Sequence, residues 1–281
     1  MLPILLAGAS ALIWGTADFC GGKAVQLQRG HALSVTVFSQ LSAAPMIALF
    51  LLVVPGRFGV SAVAWGAAAG VAGLFGIVLL YQSLASGAMA VVAPTTAVTA
   101  AVVPMIGGLV LGERPGALPI TGALCAVVAI GFVSMGASGG PKTTSARVFG
   151  LALLSGVMFG LFFLLLARAG ESAGMWPLAM ARFAALPVGL LLLRYSRLGG
   201  PLLLRGRVAW LAVVAGVLDI TANGFYLIAV YGGDISILAP IASLYPASTV
   251  LLALVVNKER LRPVQMAGLG LAAASLVLAA A

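Results

Sequence analysis

Long apolar runs, broken by short polar or basic connections, follow one another along the whole chain. Ten can be drawn, at about residues 3–21, 32–54, 60–85, 90–111, 116–137, 148–168, 175–193, 208–231, 235–256 and 263–280. Each has roughly the 17–25 residues that a helix needs to cross the hydrocarbon of a bilayer. The pattern predicts an all-α membrane protein with ten transmembrane helices. The longest connections, Ser138 to Arg147 and Arg194 to Arg207, are polar or basic. The first of them divides the chain into residues 1–140 and 148–281.

The two parts repeat one another. Gly87, Pro94, Glu113, Arg114 and Gly122 recur as Gly233, Pro240, Glu259, Arg260 and Gly268, a constant shift of 146 residues. Gln40 precedes Pro45 by five residues, as Arg182 precedes Pro187, and Ser10 and Gly15 match Ser155 and Gly160. Five spans per half is an odd number, so the second half enters the membrane from the opposite side. The expected architecture is two inverted five-helix repeats around a central cavity, the arrangement of many carriers.

Composition strengthens this picture. Hydrophobic residues make up 62% of the chain and charged residues 7%, against about 25% charged in a soluble domain. The 36 glycines suit helices that must approach closely where no hydrophobic effect holds them together. Gly66/Gly70, Gly156/Gly160 and the run Gly70, Gly73, Gly76 have the spacing for such contacts. The net charge of +9 sits in the connections, as membrane topology signals do, and does not point to nucleic acid. Cys20 and Cys125 form no disulfide framework. No basic residue precedes the first apolar run and no clear cleavage site follows it, so that run is expected to remain as a helix. With ten spans, three loop cations (Arg57, Arg114, Arg168) share the side of the termini and eleven lie on the other. The positive-inside rule then puts the termini outside the cytoplasm.

Candidate chemistry lies in the polar residues of the spans. Charge inside hydrocarbon costs about 2.5–3.5 kcal/mol even on insertion scales, so it faces a cavity or a partner. Asp219 shares one helical face with Asn223 and Tyr226, at spacings of four and seven. Arg182 lies in the preceding span. Arg182 and Asp219 either border the cavity or form an ion pair that locks two spans together. Asp18, four residues after Trp14, is either a proton-exchanging acid or a partner of Lys23. Gln40, Tyr81, Gln82, Thr95, Thr96, Thr99, Tyr231 and Tyr245 complete the polar set. Aromatics among polar groups suit an amphipathic metabolite. The threonines can instead bond their own helix backbone.

Pro94 and Pro240 open their spans, and Pro104 and Pro246 fall inside them, where a proline frees a carbonyl and kinks the helix. These four are candidate hinge positions. Glu113-Arg114-Pro115 and Lys258-Glu259-Arg260 join the last two spans of each half and suit a structural role. The acid complements the start of a helix and Pro115 its first turn. His31 is the only histidine. There is no Cys/His metal cluster, no phosphate-cradling loop and no Ser/His/Asp set, so neither an enzyme nor a cofactor is expected.

The residues Leu12-Ile13-Trp14-Gly15, Arg182-Phe183, Ala93-Pro94 with Gly112-Glu113-Arg114, and Ala239-Pro240 with Glu259-Arg260 resemble the drug/metabolite transporter superfamily, in its EamA-type branch. The resemblance spans the whole chain. It implies ten helices around a central cavity that moves small metabolites, amino acids among them, by alternating access and often outward. It implies that Trp14, Tyr81 and Tyr226 line that cavity. It also implies termini in the cytoplasm, opposite to the charge count.

The expected protein is therefore a multi-pass carrier of the bacterial inner membrane. Its partners are a small polar or amphipathic solute, the bilayer and, if coupled, protons. Export of amino-acid-like compounds is the leading reading. A drug or organic-cation exporter is the alternative, and a non-transporting scaffold or sensor belongs to a different class.

Overall fold

The computed structural model describes residues 1–28, 31–84, 89–135, 146–195, 200–245, 248 and 263–280. The described elements are helices. They are α1 (Leu2–Leu27), α2 (Ala32–Ser42), α3 (Ala44–Val53), α4 (Val60–Leu84), α5 (Met89–Val110) and α6 (Ala117–Met135). There follow α7 (Ala146–Ala167), a 3-10 turn (Glu171–Ala173), α8 (Trp176–Tyr195), α9 (Gly206–Tyr231), α10 (Ile235–Ala242) and α11 (Pro263–Ala280).

Among the described residues, six stretches are long and apolar enough to cross a membrane: Leu2–Val25, Ala32–Val53, Val60–Leu80, Ala146–Ala167, Trp176–Tyr195 and Gly206–Tyr231. Thr95–Val110, Ala117–Phe132 and Met266–Ser275 are shorter apolar helices. Large apolar side chains such as Leu52, Phe183 and Trp210 point outward, as lipid requires. The interior is built largely from alanine, glycine and serine. Small residues let helix backbones approach closely in a membrane. At Gly66 a Cβ would come within 2.9 Å of Met180 Cβ and Pro177 Cα, and at Gly160 within 2.5 Å of Val103 Cβ.

The helices pair across the two halves. α1 lies along α9, and α7 along α4; α10 touches α1, and α5 touches α7; α6 lies on α11. Exchanging residues 1–135 for 147–281 maps α1–α9 onto α7–α4, α10–α1 onto α5–α7, and α6–α11 onto itself. Hydrogen bonds repeat the exchange: Ser10 Oγ donates to the carbonyl of Ala222, and Ser155 Oγ to that of Gly76, both at 2.8 Å.

Prolines act differently from the sequence expectation. The second apolar run breaks at Ala43, between α2 and α3, just before Pro45. Proline cannot donate an amide and disfavours helix at the residue before it. α8 nevertheless continues through Pro187. Pro94 and Pro240 do not open their helices, because each is the sixth residue of its element. α5 runs without interruption past Pro104, which is buried and packs near Gly160. The helix of the ninth run is interrupted after Ala242, with Ser243 and Leu244 in a turn and Tyr245 and Ser248 helical again. Pro246 lies outside the described residues, as do Lys258, Glu259 and Arg260.

Glu113 does not serve the start of its own helix. Its two carboxylate oxygens accept the amides of Ile235 and Ser236, each at 2.9 Å. It thus caps α10, in the other half, where four free amides need acceptors and negative charge is favoured. Asp234, the residue before α10, makes no side-chain cap. Pro115 precedes α6, whose first turn holds Pro119 instead.

Candidate functional site

A hollow of about 150 Å³ lies between α1, α2, α4, α5, α7, α8 and α9. Its polar wall is Trp14, Asp18, Gln40, Arg182, Asp219, Asn223 and Tyr245; Phe159, Phe162, Phe163, Leu74 and Ile77 form an apolar one. A smaller hollow of about 80 Å³ shares Asp18, Gln40, Arg182 and Asp219 and extends among Thr36, Ser39 and Gly21. Seven of the ten solute-site candidates thus line one cavity, although they come from both ends of the chain.

Arg182 of α8 and Asp219 of α9 form an ion pair and hydrogen bond, the single ion pair among the described residues. Asp219 is held by more than arginine. The Trp14 indole donates to its Oδ1 at 3.2 Å, and Asn223 Nδ2 donates to the same oxygen at 3.2 Å and to the Asp219 carbonyl at 2.7 Å. Both readings of the pair therefore apply: it locks two helices together and it borders the cavity. Its donors leave Asp219 little capacity for a solute, whereas Arg182 keeps its Nε unpartnered among the described residues. Gln40 Oε1 and Asn223 Oδ1 are likewise buried without a partner among the described residues.

Asp18 stands apart. It is exposed on the cavity wall and, among the described residues, forms no ion pair, with Lys23 or any other cation. One turn of helix separates it from Trp14, which puts both on the cavity face of α1.

Tyr226 is not on the cavity wall. It is fully buried behind it, packed on Phe163 (ring centroids 4.9 Å apart) and Trp14 (5.9 Å), and its hydroxyl has no partner among the described residues. The helical spacing that joins it to Asp219 and Asn223 places it on the right face, but three residues beyond Asn223 that face meets α1 and α7. The side chains of Tyr81, Gln82 and Pro94 lie outside the described residues. Among the threonines, Thr99 bonds the carbonyl of Thr95 in its own helix, and Thr96 crosses to the carbonyl of Ala152. Tyr231 donates to the carbonyl of Gly174 at 2.9 Å, at the end of the bundle.

The phenylalanines are what the sequence reading missed. Phe159, Phe162 and Phe163 have the i, i+3, i+4 spacing of one helical face, but inside an apolar run that spacing carries no contrast. They stand opposite the glycines of α4: a Cβ at Gly73 would come within 3.0 Å of the Phe162 ring, and one at Gly76 within 2.9 Å of the Phe159 ring. Among the described residues no three His, Cys, Asp or Glu side chains gather where a metal ion could sit.

A many-helix membrane protein with a small charged and aromatic hollow among its helices has the form of a solute carrier. The chain belongs to the EamA-like transporter family, whose model matches it twice, over residues 1–135 and 147–281. It is accordingly a multi-pass membrane transporter of small molecules, and the family's members are transporters and not enzymes. No curated protein matches the sequence. A solved structure titled only "Crystal structure of protein" is similar over 99% of this chain and 96% of its own, with 18% identity and a TM-score of 0.75. That likeness concerns the fold alone.

Proposed function

We propose that this transporter exports a small amphipathic solute bearing an ammonium group, of amino-acid-like character, by alternating access across a bacterial inner membrane. The observation that carries the reading is the division of labour between the two acids. Asp219 is occupied by Arg182, Trp14 and Asn223, while Asp18 faces the hollow with no cation of its own among the described residues. A carboxylate set within the span of a membrane is costly without a partner, and a solute cation in the cavity would relieve it. The phenylalanine wall suits an apolar tail, and Arg182 Nε offers a donor to a carboxylate.

The architecture we propose is two inverted five-helix repeats, residues 1–140 and 148–281, with ten spans in all. The exchange of helix pairings between halves and the double family match support it. We place the face with eleven basic loop residues in the cytoplasm. A tag at the C-terminus accessible only from the cytoplasm would reverse that placement. A second reading, an organic-cation exporter, is favoured by the aromatic side chains beside an acid.

Efflux from proteoliposomes, tested against amino acids, simple amines and quaternary cations with and without a pH gradient, decides between them. Amino acids and amines are expected to compete, and Asp18→Asn to raise their KM about tenfold, as for the loss of one charge-assisted contact. Competition by quaternary cations alone would establish the second reading. If the pH gradient changes no rate, the transporter works by facilitated diffusion.

A further inference from the structure

The cavity is closed at the end of the bundle where α5 finishes and α10 begins. Trp14, Phe163 and Tyr226 pack ring to ring there. Ile235, Leu238 and Ile241 of α10 belong to the same buried apolar cluster. Beyond this plug, on the loop after α5, sits Glu113 with its carboxylate on the amides of Ile235 and Ser236. Gly108 leaves room for it: a Cβ at that position would come within 2.8 Å of the Glu113 carboxyl carbon and of Ile235 Cγ2.

The helix pairings divide the bundle into two blocks. In one, α1 packs along α9; in the other, α7 packs along α4 and α5; α10 lies between them, against both α1 and α5. Buried serine hydrogen bonds hold each block together internally, Ser10 to Ala222 in the first and Ser155 to Gly76 in the second. Among the described residues, two carboxylates reach out of their own block. Asp219 meets Arg182, whose helix α8 lies on α4, at the cavity, and Glu113 meets α10 at the closed end.

We propose that Glu113 is a latch: it holds the closed end shut in this conformation, and it must leave α10 before the cavity can open to that side. The bond suits repeated making and breaking. Glu113 is only partly buried, so water can replace it on both partners, unlike the serine bonds inside the blocks. Charge-assisted bonds to two amides are strong enough to bias a two-state element. The inference rests on the alternating-access reading above but not on the identity of the solute.

Cross-linking tests it. In a cysteine-free background (Cys20→Ala, Cys125→Ala), Glu113→Cys and Asp234→Cys are joined by a short reducible thiol cross-linker. Solute flux is expected to stop when the link forms and return on reduction, while solute binding, read by thermal shift, persists. Undiminished flux through fully cross-linked protein would overturn the latch. A parent that moves no solute before cross-linking would instead count against the carrier reading. The independent measurement is maleimide labelling of Leu238→Cys, buried in the plug, from that face of the membrane. Glu113→Ala is expected to speed labelling severalfold and Glu113→Gln to speed it less; unchanged labelling in both would reduce Glu113 to a static cap.

Discussion

The hydroxyl of Ser10 donates to the carbonyl of Ala222, 212 residues away, and that bond has a counterpart between Ser155 and Gly76 at the same 2.8 Å. Both are buried where helices of different halves lie side by side. Ser10→Ala and Ser155→Ala should each lower stability by about 0.6–1 kcal/mol, the range for hydrogen bonds between membrane helices. Unfolding in mixed micelles, with transport intact in both variants, checks this. A large loss at one serine and none at the other would contradict the equivalence of the two sites.

Tyr226→Phe removes a hydroxyl that is buried without a partner among the described residues. An unsatisfied buried polar group costs about 1–3 kcal/mol. The variant should therefore be at least as stable as the parent and should keep its KM. A raised KM with unchanged stability would return Tyr226 to the solute site.

Arg182 and Asp219 should behave as a unit. Removing one leaves the other charged and incompletely partnered, so the losses in Arg182→Gln and Asp219→Asn should together exceed the loss in the double variant. Contacting pairs couple by about 0.5–3 kcal/mol. A double-mutant cycle on thermal unfolding measures the coupling, and strict additivity would show that the pair contributes nothing jointly.

Asp234 lies outside the spans, before α10. Partial burial, and after it the nearby Glu113 carboxylate, raise its pKa above the ordinary value. A raised acid favours the folded state most when protonated, and that contribution fades as pH rises through the folded pKa. Because Asp234 makes no cap bond, Asp234→Asn should melt higher than the parent near neutral pH. The gap should close as pH falls toward about 4. A gap that widens on acidification would reverse the assignment.

Much of this protein is legible in its residue order, for physical reasons. A bilayer demands apolar runs of a set length, and a repeat built on one ancestral pattern keeps its spacing. The helical class, the membrane setting and the correspondence of Ser10 to Ser155 follow from these alone. So does the identity of most cavity residues: a charge such as Asp18, Arg182 or Asp219 stands out in an apolar run because hydrocarbon penalises it. Tyr226 and the three phenylalanines show where that reasoning stops. A tyrosine looks polar in the sequence yet is buried in the core, and phenylalanines that line the cavity look like any other lipid-facing residue.

What only the tertiary structure decides is which groups spend their hydrogen-bonding capacity on one another. Asp18 and Asp219 are equivalent as letters, but among the described residues three donors converge on Asp219 and none on Asp18. Glu113 has the position of a cap for its own helix, but packing brings it to α10 instead. Spacing sets the face on which a side chain emerges; what meets it there depends on helices more than a hundred residues away, and no local pattern encodes that meeting.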